Sequence, residues 1–257
     1  ETASGNAFTL ENAALRVVID KTTGCITSLY DKRGKFETLA AGSCGNELEA
    51  YKDLPKQYDA WNIDPGTYEE TPALLTRADS VEAAGPFAVR VSRTWQNSKF
   101  VQTISLAPDA DYVDVDNRID WHERHVLLKA AFTLAATSPF ATFEIPYGTI
   151  KRATTRNNSW EKAQFEVPAQ RWADLGDGRQ GFSLLNRDKY GYDAVGNELR
   201  LTLLRSPTYP DPEADQGTHH FHYALYPHPG TWRDALTMRR GWEYNYPLQA
   251  LPATEHS

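Results

Sequence analysis

Basic residues are scarce relative to acidic ones. Lys and Arg number 27 and Asp and Glu 34 among 257 residues, a formal net charge of −7 at pH 7. No basic field exists to gather phosphate, which argues against a nucleic-acid or anionic-membrane partner. Long apolar runs are also missing. Nothing approaches the roughly 18 apolar residues of a membrane-spanning helix, and the N-terminus lacks the basic stretch and apolar core of a signal peptide. Cysteine occurs twice, as Cys25 and Cys44. Two can form one bridge, which is too few for a disulfide framework, and a reduced setting fits as well. The expected compartment is the cytoplasm. Methionine occurs once, as Met238, and the chain begins Glu1-Thr2-Ala3, which reads as a processed chain or a piece of a longer one. There is no Gly-x-Ser-x-Gly elbow and no cysteine near a histidine in sequence, so nucleophilic catalysis finds little support. No Gly-rich phosphate loop follows a strand, so nucleotide binding is not expected.

What is present is a period of two. In Tyr112 to Trp121, Val113, Val115, Ile119 and Trp121 share one face, and Asp114, Asp116, Arg118 and Asp120 share the other. That pattern predicts a half-buried strand with one wet face. Val126, Leu128, Ala130, Phe132 and Leu134 alternate in the same way, as do Phe100, Gln102, Ile104 and Leu106, then Leu199, Leu201 and Leu203, then Phe221, Tyr223 and Leu225. Short polar spacers such as Gln96-Asn97-Ser98 predict antiparallel hairpins. Gly24, between strands at Leu15 to Asp20 and Cys25 to Tyr30, can supply the positive φ of a tight turn. One helix is expected near Thr231 to Trp242, capped by Thr231 and limited by Gly241 and Pro247. A single helical turn is allowed at Ser159 to Ala163. The expectation is an all-β fold, one large antiparallel sandwich over residues 1–251 with long loops, and a tail at 252–257.

Three polar and aromatic stretches are poor strands, and long loops in a compact β domain are often functional. They are Tyr51 to Tyr68, Ile150 to Glu161 and Ser206 to His220. The first carries Tyr58, Asp59 and Trp61, groups suited to sugar hydroxyls and ring faces. Its plainer reading is a loop pinned to the sandwich by its aromatics. The third carries Asp215, Gln216, Gly217, His219, His220 and His222. A His-x-His pair with an upstream Asp215 can hold a divalent ion, although the spacing matches no strong zinc signature. The plainer reading is polar side chains on the wet face of a strand, and no metal ligand is assigned. A further cluster, Asn186 to Asp193, reads as a turn with Gly191 at an unusual φ. Asn157-Asn158-Ser159 matches a glycosylation sequon, which matters only in a secreted protein.

In order, several segments resemble the C-terminal β domain of the α-mannosidases of glycoside hydrolase family thirty-eight. They are Leu15-Arg16-Val17-Val18-Ile19-Asp20 with Thr23-Gly24-Cys25-Ile26, Tyr58-Asp59-Ala60-Trp61-Asn62-Ile63-Asp64, Asn158-Ser159-Trp160, Arg171-Trp172-Ala173-Asp174-Leu175, Lys189-Tyr190-Gly191-Tyr192-Asp193, and Leu204-Arg205-Ser206-Pro207 with Asp215-Gln216-Gly217. The branch resembled is the bacterial and cytosolic type. The resemblance implies a β supersandwich of the galactose mutarotase-like kind. It also implies that the nucleophile, the acid/base and the zinc ligands lie in an N-terminal α/β domain and the helical bundle after it. No catalytic residue and no cofactor is therefore expected in this chain. Zinc belongs to the absent catalytic domain, which is the expected partner, together with an oligosaccharide substrate. Tyr58, Asp59, Trp61, Asp215, Gln216, Gly217 and His219 are expected at the rim of the substrate cleft. Two other readings stay open. One is an independent mutarotase-type enzyme, with His125, His219 or His220 paired with Asp215 as acid and base. The other is a carbohydrate-binding module without chemistry.

Overall fold

The apolar alternation read in the sequence becomes two packed antiparallel sheets in a computed structural model, which describes residues 2–251. The expected tail at 252–257 lies outside the described residues. Among the described residues the first sheet has eleven strands. Its main path runs Thr2–Ser4, Ala7–Glu11, Leu15–Asp20, Ile26–Asp31, Gly45–Lys52, Val126–Thr133, Glu198–Arg205, Gly191–Val195 and Val167–Pro168. The second has nine, in the order Gly148–Ala153, Phe140–Ile145, Trp172–Gly176, Gln180–Asn186, Gly217–Pro229, Val113–Trp121, Ser98–Ser105, Ala88–Trp95 and Ser80–Ala83. The expected all-β sandwich is the fold observed.

The inward faces supply the core. Ile19, Leu48, Phe132 and Leu201 of the first sheet meet Val91, Phe100, Val115 and Phe221 of the second. Phe132 bridges the layers, with ring centroids 5.3 Å from Phe182 and 6.3 Å from Tyr223. Gln102 sits on this inward face, as its place in the alternation requires. It is buried, donates to Asn117 Oδ1 at 2.8 Å and accepts from Arg93 at 3.0 Å. A buried amide costs little only when paired in this way. Gly24 has φ +69 and packs so close to Val91 that an added Cβ would lie 2.3 Å from Cγ1. Both facts require glycine at that turn.

Val126–Thr133 departs from the expected alternation. Every residue from Leu127 to Phe132 is buried, including Lys129 on the outward face. The cause is a charged cluster roofed by neighbouring loops. Lys129 Nζ donates to Glu166 Oε2 and to Asp193 Oδ1, each at 2.5 Å, and to Tyr68 Oη at 3.2 Å. Arg200 completes the set, donating to Asp193 Oδ2 at 2.6 Å and to Tyr51 Oη. Gly191 opens a strand here, without positive φ, because a Cβ would lie 2.5 Å from Glu166 Oε1. The unusual turn expected at Gly191 is therefore absent.

The helix also differs from expectation. Residues 231–236 form turns in which Thr231 and Asp234 cap one another, and Leu236 takes φ +55. The helix begins only at Thr237 and runs Thr237–Asn245. Gly241 lies inside it rather than ending it, because a Cβ there would meet Trp172 Cδ1 at 2.8 Å. The helix covers Trp172, Leu185, Ala224 and Tyr226 on the outer face of the second sheet. The allowed turn forms at Ser159–Lys162, capped by Asn158. Cys25 and Cys44 are bonded and tie the start of Ile26–Asp31 to the start of Gly45–Lys52.

Candidate functional site: interlocked loops at one end of the sandwich

All three expected loops are shorter than their sequence suggests, the Ile150 to Glu161 stretch giving up its ends to the strand Gly148–Ala153 and the turn Ser159–Lys162. Tyr51 and Lys52 complete a strand, Pro65–Tyr68 is a short 3-10 helix, and Gly217 to His220 open another strand. The irregular remainder of the Ile150 to Glu161 stretch is 154–158, and those of the other two are 53–64 and 206–216. The last two leave the same end of the sandwich, and the 122–125 turn lies between them.

Asp59 locks the loops together. Its Oδ2 accepts from Thr208 N at 2.5 Å, Thr208 Oγ1 at 3.1 Å and Tyr209 N at 3.1 Å. Ala60 N returns a bond to Tyr209 O at 3.2 Å. Burial alone would raise the Asp59 carboxyl, but these donors and the nearby His125 hold it below the usual carboxylate value. Arg205 fastens the same loop from below. It donates to Asp53 Oδ2 at 2.5 Å, to the Asp59 carbonyl at 2.8 Å, to the Ala60 carbonyl at 3.2 Å and to the Asn62 carbonyl. Asp53 is fully buried, and that burial pushes its carboxyl above the usual range despite the guanidinium. His125, at φ +55, sits beside the lock, with Nε2 3.2 Å from Thr208 Oγ1 and Nδ1 3.6 Å from Asp59 Oδ1.

The lock leaves an aromatic surface outside. Tyr58, Trp61 and Tyr209 are mostly exposed, and the Trp61 and Tyr209 rings meet edge to face with centroids 6.5 Å apart. Tyr209 is the member that the sequence reading left out of the rim. In sequence it is legible as an aromatic able to stack on a sugar ring.

The remaining expected rim residues are held by the neighbouring turn. Gln216 Nε2 donates to the Glu123 carbonyl at 2.6 Å. Glu123 is itself buried, and its Oε1 accepts from Asn97 N at 2.9 Å and Ser98 Oγ at 2.8 Å. Asp215 is exposed at φ +60, and Gly217 takes φ +103. His219 Nε2 donates to the Asp215 main-chain oxygen at 2.8 Å. A carbonyl only accepts, so this bond fixes the tautomer.

Asp59 is a structural lock between loops, with little of its side chain open to a ligand. Among the described residues no hydrogen bond or ion pair joins His125, His219 or His220 to the Asp215 carboxylate. His220 pairs instead with Asp116, at 2.8 Å.

A Ser-His-Asp contact that sequence could not show lies elsewhere. Ser183 Oγ and Asp174 Oδ2 both approach the same nitrogen of His228, Nε2, at 3.1 and 2.8 Å. A relay needs the two groups on opposite ring nitrogens. Ser183 is fully buried and also touches Thr237 Oγ1 at 2.8 Å. The cluster fixes the helix end to the sheet and offers no nucleophile.

The lock carries a measurable consequence. Asp59→Ala leaves the part-buried Thr208 amide and the exposed Tyr209 amide without their shared acceptor, so stability should fall by about 1–2 kcal/mol. Hydrogen exchange should speed up at both amides. Unchanged protection there would show that the loops hold without Asp59.

Fold and site together define a two-layer β-supersandwich domain whose one end is elaborated by locked, aromatic-tipped loops. Residues 10–213 match the model of the glycosyl hydrolases family 38 C-terminal domain. The chain is 38% identical over 252 residues to mouse (Mus musculus) alpha-mannosidase 2C1, covering 96% of this chain and 24% of that relative. In structure it is similar to an alpha-mannosidase from Enterococcus faecalis V583, with a TM-score of 0.77 and 14% identity over 95% of this chain and 32% of that one. It is also similar in fold to a galactose mutarotase-like protein from Lactobacillus casei, with a TM-score of 0.53 and 11% identity over 86% of this chain and all of that one. The chain belongs to glycosyl hydrolase family 38, as its C-terminal domain. It spans about a quarter of the length of the curated relatives it matches.

Proposed function

We propose that residues 1–251 act as one unit, the C-terminal β domain of a retaining α-mannosidase that hydrolyses terminal α-mannosidic bonds in oligosaccharides. In this reading the domain packs on an N-terminal, zinc-dependent catalytic domain, and its locked end loops form part of the substrate-cleft rim. The observation that carries it is the exposed group Tyr58, Trp61 and Tyr209, held on a frame of Asp59 and Arg205. Aromatic faces that project from a rigid support suit sugar rings, because little side-chain freedom is lost on contact. The exposed Asp215 carboxylate adds a hydroxyl acceptor on the neighbouring strand entry. A cytoplasmic setting belongs to the same proposal, and no described helix is long and apolar enough to cross a membrane.

The test uses the full-length parent with an α-mannosidic oligosaccharide. Trp61→Ala and Tyr209→Ala should each lower kcat/KM about tenfold, the loss of roughly 1–1.5 kcal/mol of ring contact. The loss should appear mainly in KM, since these groups touch no reacting bond. The 257-residue chain alone, with zinc added, should show no turnover of an aryl α-mannoside. Unchanged kcat/KM in both variants would remove the rim assignment, and turnover by the chain alone would overturn the division of labour.

A further inference from the structure

The outer face of the second sheet brings together three metal-ligating side chains that sequence separates by more than a hundred residues. His220 and His222 alternate onto one face of Gly217–Pro229. Asp116, on the adjacent strand Val113–Trp121, is the register partner of His222. His220 Nε2 lies 2.8 Å and His222 Nδ1 3.5 Å from the same oxygen, Asp116 Oδ2. One donor atom from each residue lies within 4.8 Å of the others. The sequence reading offered Asp215 as the carboxylate for this pair and assigned no metal. Strand pairing supplies Asp116 instead.

We infer that Asp116, His220 and His222 form a binding site for a divalent transition ion of the zinc type. Ligand atoms at zinc distances of about 2.0–2.2 Å in a tetrahedron stand roughly 3.3 Å from one another. The observed carboxylate–imidazole separations of 2.8 and 3.5 Å bracket that value. Two imidazoles and one carboxylate make a donor set matched to zinc rather than to calcium or magnesium. The strand backbone holds the histidine Cβ positions, so the ion needs only rotamer adjustment. All three side chains are partly exposed, which opens a path for the ion and leaves a fourth position to water. Asp188 accepts from His222 N at 3.2 Å and places a second carboxylate beside the site. Arg118 pairs with His220 in register on the neighbouring strand. It is exposed, and Arg187 on the other side of the site donates its main-chain amide to the His222 carbonyl at 3.4 Å.

The test is calorimetric titration of this chain at pH 7 with zinc chloride, with cobalt(II) absorption as the readout of coordination. One ion per chain in the micromolar range is expected, and cobalt should give the strong visible bands of a tetrahedral site. His220→Gln and His222→Gln should each weaken binding about tenfold or more, and Asp116→Asn should do the same. The metal-free variants should keep the parent melting temperature, because the replaced groups are solvent-facing. His122→Gln, at a neighbouring surface pair with Asp120, should leave the affinity unchanged. Zinc uptake that survives His220→Gln and His222→Gln, or the absence of stoichiometric binding, would overturn the assignment.

Discussion

Lys129→Met lowers stability by about 3–5 kcal/mol, the usual effect of removing one partner from a buried ion pair. The substitution takes from the almost fully buried Asp193 one of its two ion-pair partners, leaving Arg200, and removes the donor that Glu166 shares with Tyr68. Burial alone would drive the Lys129 ammonium down, yet Asp193 and Glu166 hold it above the ordinary lysine value. Burial likewise opposes the Asp193 carboxylate, and Lys129 with Arg200 more than reverses it, holding this carboxyl below its usual range. A carboxyl lowered in the folded state contributes stability above its unfolded pKa of about 3.9, and that contribution is lost as pH falls through the folded value. Denaturant midpoints of Lys129→Met and the parent at pH 7 measure the effect. Adding Asp193→Asn to Lys129→Met should restore part of the loss. A full-strength parent alongside a barely altered Lys129→Met would show that the cluster contributes nothing net.

Opening the Cys25–Cys44 bridge should cost about 3 kcal/mol, the chain-entropy value for a closed loop of this order. The two residues are 19 apart in sequence and join strand starts that contact at a single paired position, Ile26 with Gly45. Few other bonds hold that junction, so the bridge carries much of its order. Urea midpoints of Cys25→Ser with Cys44→Ser, compared with the oxidised parent, should fall accordingly and match the parent under reductant. Equal midpoints in all three would assign the junction's stability to packing alone. A reducing compartment would keep the pair open, so thiol trapping in cells reads the cytoplasmic placement through the same residues.

Most of the fold was legible because a strand with one wet face writes its burial into alternate residues. Val113–Trp121 is the plain case, with each inward residue apolar except Asn117. Lys129 was not legible. A lysine at an outward position reads as a solvated charge, and only the folding of 68, 166 and 193 around it makes it buried. The helix start was misplaced because Thr231 does cap, but it caps a turn that Leu236 ends by going left-handed. The loops and the family were readable from Tyr58 to Asp64 and from Leu204 to Gly217. Their internal wiring was not, since Asp59 meets Thr208 across 149 residues. Asp116 meets His220 across 104. Register between distant strands has no local signature.

Arg205 holds the Asp59, Ala60 and Asn62 carbonyls of the 53–64 segment, and Asp59 in turn seats the second loop. Each loop makes turns of its own, but their placement is shared through these bonds. Divergence at this end of the molecule is thus constrained to come in matched pairs, and a transplanted stretch would arrive without the half of the hinge that gives it form.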